Sequence, residues 1–308
     1  MKTIAGIINT ARGLADDSLR KPLRIAVAAA DDPSVLAACA EAGTLGIADS
    51  ILIGDLSAIK DHAERAGIDL TGFCTVDVPD RTRAVNLAIE LVRDNKADLA
   101  MKGLVESATF LRTAFRKDMG LNTGKLISHV GVIESPFYHK LLFLSDGAVN
   151  IAPNLEQRVS IIENAVALAR SMGIMQAKVA LLAALEQVNP DKMPCTADAA
   201  IITQMYMRSG KTNCIVDGPL ALDNALSGES AGIKKINSQV AGDADILITP
   251  TIEAGNILYK SLMYLGNARS AGIIMGARRP LILTSRAADT ATRLASIALG
   301  VCCASRIK

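Results

Sequence analysis

Short apolar runs alternate with segments of helical period along most of this chain, and that alternation leaves few folds open to it. Arg24 to Ala30 is an apolar run that stops at Asp31-Asp32-Pro33, where Asp32 can cap a helix begun by Pro33 and closed near Gly43 or Gly46. Asp49 to Gly54 reads as a second strand. Leu56 to Ala66 reads as a charged helix ended by Gly67, and Phe73 to Val78 as a third strand. Arg81 to Asn95 sets Val85, Ala88, Ile89 and Val92 on one face at a 3.6-residue period. Asp98 to Met101 is a fourth strand, followed by Lys102-Gly103. Strands that alternate with helices belong in a parallel sheet covered on both faces. Composition agrees: 50% of residues are hydrophobic, aromatics are 3% and Trp is absent. Ala, Ile, Leu and Val must then build the core, which suits strands buried on both sides.

The texture changes between Ile127 and Asn150. Ser128 to Ile133 and Lys140 to Leu144 are separated by Glu134-Ser135-Pro136 and read as paired, antiparallel strands. Ser145-Asp146-Gly147 and Asn150 to Pro153 then break the chain, and a hinge is expected there. Beyond it the α/β pattern restarts. Helices are expected at Leu155 to Met172, Asp198 to Ser209, Glu253 to Leu265 and Asp289 to Cys302. Strands are expected at Lys178 to Ala184, Asn213 to Asp217, Asp245 to Pro250, Gly272 to Gly276 and Leu281 to Ser285. With 308 residues, the expectation is two α/β lobes, with a cleft between them as the default site.

Several classes are disfavoured. The 33 basic and 31 acidic residues give a net charge of +2 with no charged arm, which argues against nucleic acid as a partner. No apolar run reaches the length of a membrane span. Ile4, Ile7, Ile8, Ala11 and Leu14 follow helical spacing, and Arg12 interrupts the stretch too early for a secretory signal. The six cysteines form no Cys-x-x-Cys pair and read as small buried thiols in a reducing cytoplasm. His62, His129 and His139 have no metal-ligand spacing, so no metal site is expected. Gly120 to Leu126 resembles a phosphate loop, but it is one spacer short and lacks the hydroxyl after Lys125. No Gly-x-Ser-x-Gly elbow is present.

What remains is a set of polar clusters at strand ends. Lys102-Gly103 follows one strand, with Arg112 on the next helix. Asp217-Gly218-Pro219-Leu220 follows another. Pro250, Glu253, Gly255, Asn256, Tyr259 and Lys260 follow a third, and Thr284-Ser285-Arg286 a fourth. Open α/β sheets bind ligands beyond the carboxyl ends of their strands. A guanidinium and backbone amides in that place suit an anionic, phosphate-bearing substrate.

In this order the clusters resemble the phosphate acetyl/butyryltransferase family. Asp217 to Leu220, Ser238-Gln239-Val240-Ala241-Gly242-Asp243-Ala244-Asp245, Gly255-Asn256-Ile257-Leu258-Tyr259-Lys260 and Thr284-Ser285-Arg286 are similar to its blocks. The wording at Ile252 to Asn256 and Leu283 to Ala287 is closer to the butyryl branch. The resemblance implies two α/β domains with the fold of isocitrate and isopropylmalate dehydrogenases. Residues 1–147 would form the first domain, completed by 286–308, and residues 148–285 the second. It implies conversion of acyl-CoA and phosphate to acyl phosphate and CoA, by a homodimer or dimer-based oligomer in the cytoplasm. CoA enters as a substrate, with no permanently bound cofactor and no membrane or nucleic-acid partner.

The expected chemistry is direct transfer in a ternary complex, which needs alignment and oxyanion stabilisation rather than a protein nucleophile. Arg286 would hold the phosphoryl group and Ser285 would donate to the acyl oxygen. Asp289 would serve as base for the thiol, although the acetyl branch carries its acid further along, where Thr292 stands. Lys102 and Arg112 would contact phosphate or CoA, and Asn256 and Lys260 would line the CoA site or fix its wall. A four- or five-carbon acyl group is expected. Transfer of acetyl, a dehydrogenase of the same fold, and a non-catalytic binder of CoA or acyl phosphate remain as alternatives.

Overall fold

The computed structural model describes residues 2–15 and 22–306, and the chain divides into two compact units. One is built from Ile4–Lys125 and Ala271–Lys308, the other from Met1–Thr3 and Leu126–Ser270.

The first unit opens with α1 (Ile4–Ala15), β1 (Leu23–Ala28), α2 (Pro33–Thr44), β2 (Ala48–Gly54), α3 (Leu56–Ala66) and β3 (Cys74–Asp77). It continues with α4 (Arg81–Arg93), β4 (Leu99–Lys102) and α5 (Ser107–Ala114). The helix starts follow from local chemistry. The Asp32 carboxylate accepts from the amides of Ser34 and Val35, both at 3.0 Å, with Pro33 as first helical residue. Asp55 and Asp80 cap α3 and α4 in the same way, and Gly67 closes α3 at φ 65°.

The second unit runs through β5 (Ser128–Glu134), β6 (Leu142–Ser145), α6 (Leu155–Ser171), β7 (Ala177–Leu182), α7 (Pro194–Arg208) and β8 (Cys214–Leu220). Two short helices, α8 (Leu222–Leu226) and α9 (Gly228–Ile233), precede β9 (Ile246–Ile248) and α10 (Ile252–Tyr264). Neither short helix is legible as periodicity, because each is under two turns. α7 begins at Pro194, ahead of the expected Asp198, since Pro supplies a ready first helical position. The chain then returns to the first unit through β10 (Arg269–Met275), β11 (Leu281–Ile282) and α11 (Thr290–Ala304).

Strand order in the first unit is β3-β2-β1-β4-β11-β10, parallel except for the β10–β11 pair. The register sets Ala28 beside Lys102 and Met101 beside Ile282, so the carboxyl ends of β1, β4 and β11 stand side by side. In the second unit the order is β5-β6-β9-β7-β8, parallel except for β5–β6. There Ile248 pairs with both Ser145 and Leu181, which aligns the carboxyl ends of β6, β9 and β7.

Strand pairing also explains where the units divide. The expected boundaries stood at 147/148 and 285/286, whereas the compact units divide at 125/126 and 270/271. β6 pairs with β9, so the β5–β6 hairpin goes with the second unit. β11 pairs with β4, so both β10 and β11 go with the first. The segment from Ser145 to Pro153, read from sequence as a hinge, lies wholly inside the second unit. Its Asp146 is buried and tied to its own loop, accepting from Ala148, Val149 and Asn150 amides and from Asn150 Nδ2.

Candidate active site

Three loops of the first unit leave neighbouring strand ends: 29–32 after β1, 103–106 after β4 and 283–289 after β11. Lys102 ends β4 and is only 2% exposed. Its Nζ donates to the carbonyls of Gly103 at 3.3 Å and Val105 at 3.1 Å. Burial, with the cations of Arg293 and Arg286 beside it, pulls the ammonium down from its ordinary 10.5 to about 8, against the opposing pull of Asp32. Gly103 is required there. A Cβ on it would stand 2.1 Å from the carbonyl oxygen of Ala29, so only glycine lets the β4 loop cross the β1 loop this closely.

Ser285 and Arg286 sit on an exposed turn, with Thr284 buried before it. The amide of Ala288 donates to the carbonyl of Ser285 at 3.1 Å, and the amide of Ala287 to Ser285 Oγ at 3.3 Å. Beneath the turn lies Arg293 on α11, 1% exposed. Its Nη1 donates to Thr284 Oγ1 at 3.1 Å, Nη2 to the carbonyl of Arg286 at 3.2 Å, and Nε to the carbonyl of Ala288 at 3.3 Å. Asp32 lies 3.9 Å from Nη2. Burial lowers the Arg293 pKa, and Asp32 opposes that shift.

Asp289 is the N-cap of α11 and accepts from the amide of Thr292 at 2.8 Å. Its hydrogen bonds from Thr292 hold the carboxyl below its ordinary range. Lys102, Ser285, Arg286 and Asp289 therefore all belong to the strand-end loops of one unit. Arg112 is in the same unit, exposed in the last turn of α5. The arrangement can hold a dianion on an exposed guanidinium, with a hydroxyl beside it and a buried ammonium behind.

Asn256 and Lys260 belong to the second unit, on α10. Asn256 Nδ2 donates to the carbonyl of Gly147 at 3.0 Å, while Lys260 is exposed. Thr249 Oγ1 donates to the carbonyl of Asp146 at 3.0 Å. Gly255 packs against the same turn: a Cβ would lie 2.4 Å from the Asp146 carbonyl oxygen. Asn256 thus braces the loop after β6. The loop at Gly120 to Lys125 is a turn of the first unit, with Gly120 and Gly124 at φ 67° and 77° and Thr123 Oγ1 donating to the Gly276 carbonyl. Among the described residues, no group of three or more His, Cys, Asp or Glu is arranged to hold a metal ion.

Sequence reasoning missed Arg293, and it read Asp32 as a cap alone. A signal for Arg293 was present: it is the single charged side chain in Thr290–Ala304. A charge in so apolar a helix needs partners wherever it is buried.

Comparison with known proteins identifies the family. Residues 80–301 match the family described as Phosphate acetyl/butaryl transferase. The chain is 46% identical over 276 residues to a phosphate butyryltransferase of Clostridium acetobutylicum, covering 90% of this chain and 91% of the relative. It is 42% identical over 279 residues to a phosphate acetyltransferase of Thermotoga maritima, covering 91% and 94%. Among solved structures, a branched-chain phosphotransacylase from Enterococcus faecalis V583 superposes with a TM-score of 0.81 at 30% identity, covering 92% of this chain and 99% of that one. The resemblance read from the strand-end blocks is thereby established, and the chain belongs to the phosphate acetyl/butyryl transferase family of phosphate acyltransferases.

Proposed function

We propose that this acyltransferase moves butyryl, or a branched acyl group of four to five carbons, between CoA and phosphate in one ternary complex. In the direction of acyl phosphate formation, a phosphate oxygen attacks the thioester carbonyl. The C–O bond forms, the C–S bond breaks, and the CoA thiolate leaves and takes a proton. In reverse the thiolate attacks the acyl phosphate. The observation that carries the reading is the exposed Ser285–Arg286 turn set above two buried cations, Lys102 and Arg293. Arg286 binds the phosphoryl oxygens in pairs. Ser285 donates to the acyl oxygen as negative charge develops on it. Lys102 and Arg112 add positive charge for phosphate or CoA. Asn256 and Lys260 contact CoA or fix the surface that does, and the Asn256–Gly147 bond supports the second role for Asn256.

The same reading carries the isocitrate and isopropylmalate dehydrogenase-like fold, a homodimer and a cytoplasmic setting. Apolar side chains left exposed on α7 (Ile201, Met205, Met207) and α10 (Ile257, Tyr264) support a dimer. Six cysteines without a disulfide fit a reducing compartment.

Phosphate-dependent CoA release from butyryl-CoA tests the activity. No release above the phosphate-free rate would remove this reading. Acetyl transfer is the second reading, favoured by the 42% identity to an acetyl-named relative.

A further inference from the structure

We propose that Arg293 is a positioning residue that fixes the Ser285–Arg286 turn in its working geometry; the proposal rests on the acyltransferase reading above.

Three of the guanidinium's donors reach three separate points along one loop. They are the Thr284 hydroxyl before the turn, the Arg286 carbonyl within it and the Ala288 carbonyl after it, at 3.1, 3.2 and 3.3 Å. The remaining ties of the turn are local ones, from the amides of Ala287 and Ala288 back to Ser285. Without Arg293 nothing in this set would fasten the exposed residues 285–287 to the helix beneath. At 1% exposure Arg293 is beneath the surface that meets substrate, so its effect must pass through Arg286 and Ser285. Stability alone is a poor reason to keep it. A buried guanidinium costs desolvation, and a well-packed apolar residue often serves a helix as well or better. What an apolar residue cannot supply is a planar fork spanning three acceptors. Lysine cannot supply it either, because its donors radiate from one nitrogen.

The charge neighbours of Arg293 fit the same role. Asp32, at 3.9 Å, is already engaged by the amides of Ser34 and Val35 and offsets the cation without replacing its loop contacts.

The test is a double-mutant cycle read by steady-state kinetics with phosphate and butyryl-CoA. Arg293→Lys keeps the charge and loses the fork. It is expected to lower kcat/KM for phosphate by roughly a hundredfold, the scale of a small misplacement at a reacting centre. The loss should appear in KM for phosphate and in kcat, with KM for butyryl-CoA nearly unchanged. In an Arg286→Ala background the same substitution should cost clearly less, because one of the two residues it acts through is gone and only the Ser285 share is left. Thr284→Val, which deletes one acceptor and keeps the side-chain shape, should move the same constants in the same direction by a smaller factor. It decides the matter if Arg293→Lys does not fold. Thermal unfolding of each variant accompanies the kinetics. Wild-type constants in a folded Arg293→Lys, or an undiminished loss in the Arg286→Ala background, would overturn the proposal and leave the acyltransferase reading standing. In the Thr284→Val arm, unchanged constants would do the same. Wild-type protein that releases no CoA would overturn both.

Discussion

The ammonium of Lys102 donates to the carbonyl of Val105 at 3.1 Å, from a position only 2% exposed. A strand-end lysine is thereby folded back onto the loop that follows it, with two arginines as like-charged neighbours and Asp32 offsetting them in part. This is an unfavourable place for a cation, and the pKa near 8 records the cost.

That cost has a pH signature. The folded-state pKa lies below the ordinary 10.5, so the unfolded chain holds the proton more tightly. The penalty is complete below about pH 8 and fades as the pH rises toward 10.5. Lys102→Met is therefore expected to raise Tm at neutral pH, and the gain should shrink at alkaline pH. Activity should move the opposite way: the variant loses phosphate affinity, and in wild type kcat/KM for phosphate falls as the pH rises through about 8. Thermal unfolding and pH–rate profiles of the pair check this. A Tm loss of equal size at both pH values would contradict it.

Arg286→Ala is expected to cost about 2–4 kcal/mol of transition-state stabilisation, the scale for one positioned donor. Tm should hardly change, because the side chain is exposed and the turn is gripped through its backbone. Arg286→Lys should recover only part of the loss, since an ammonium cannot make a bidentate contact. Near-normal kcat/KM in the Ala variant would take Arg286 out of the site.

Asp289 separates two roles cleanly. As the cap of α11 it accepts from Thr292, and a carboxyl held below its ordinary range is a poor proton acceptor. Asp289→Asn keeps a capping oxygen, so Tm and kcat should both stay close to wild type. Asp289→Ala should lose about 1 kcal/mol of stability. A hundredfold fall in kcat in the Asn variant, with Tm intact, would instead make Asp289 the thiol base.

Acyl length is set by burial of methylenes. Each one discriminates by about 1–3 kcal/mol at most, roughly ten- to two-hundred-fold. Butyryl- and isovaleryl-CoA are expected to exceed acetyl-CoA in kcat/KM at saturating phosphate. An acetyl value equal to or above the butyryl value would shift the assignment to acetyl transfer.

The sequence by itself determined the local elements. Asp32, Asp55 and Asp80 mark helix starts because a short carboxylate satisfies free amides of the first turn. Gly67 marks an end because it adopts φ 65° without a Cβ penalty. The antiparallel pairing of Ser128–Glu134 with Leu142–Ser145 was legible because a short polar break joins two apolar runs. The order of strand-end blocks likewise pointed to the family that residues 80–301 match. Non-local pairing was decided only in three dimensions. Nothing near Leu281 says that it lies beside Ala100, nor near Phe143 that it lies beside Ile246, and those pairs set the division into units. Burial was decided there too. Lys102 and Arg293 look alike as charges in the sequence, yet one lies buried at a strand end and the other beneath a turn, and their partners are carbonyls that no side-chain pattern displays. Local chemistry is written in neighbouring residues, whereas a buried cation acquires its meaning from backbone groups that only the tertiary fold brings to it.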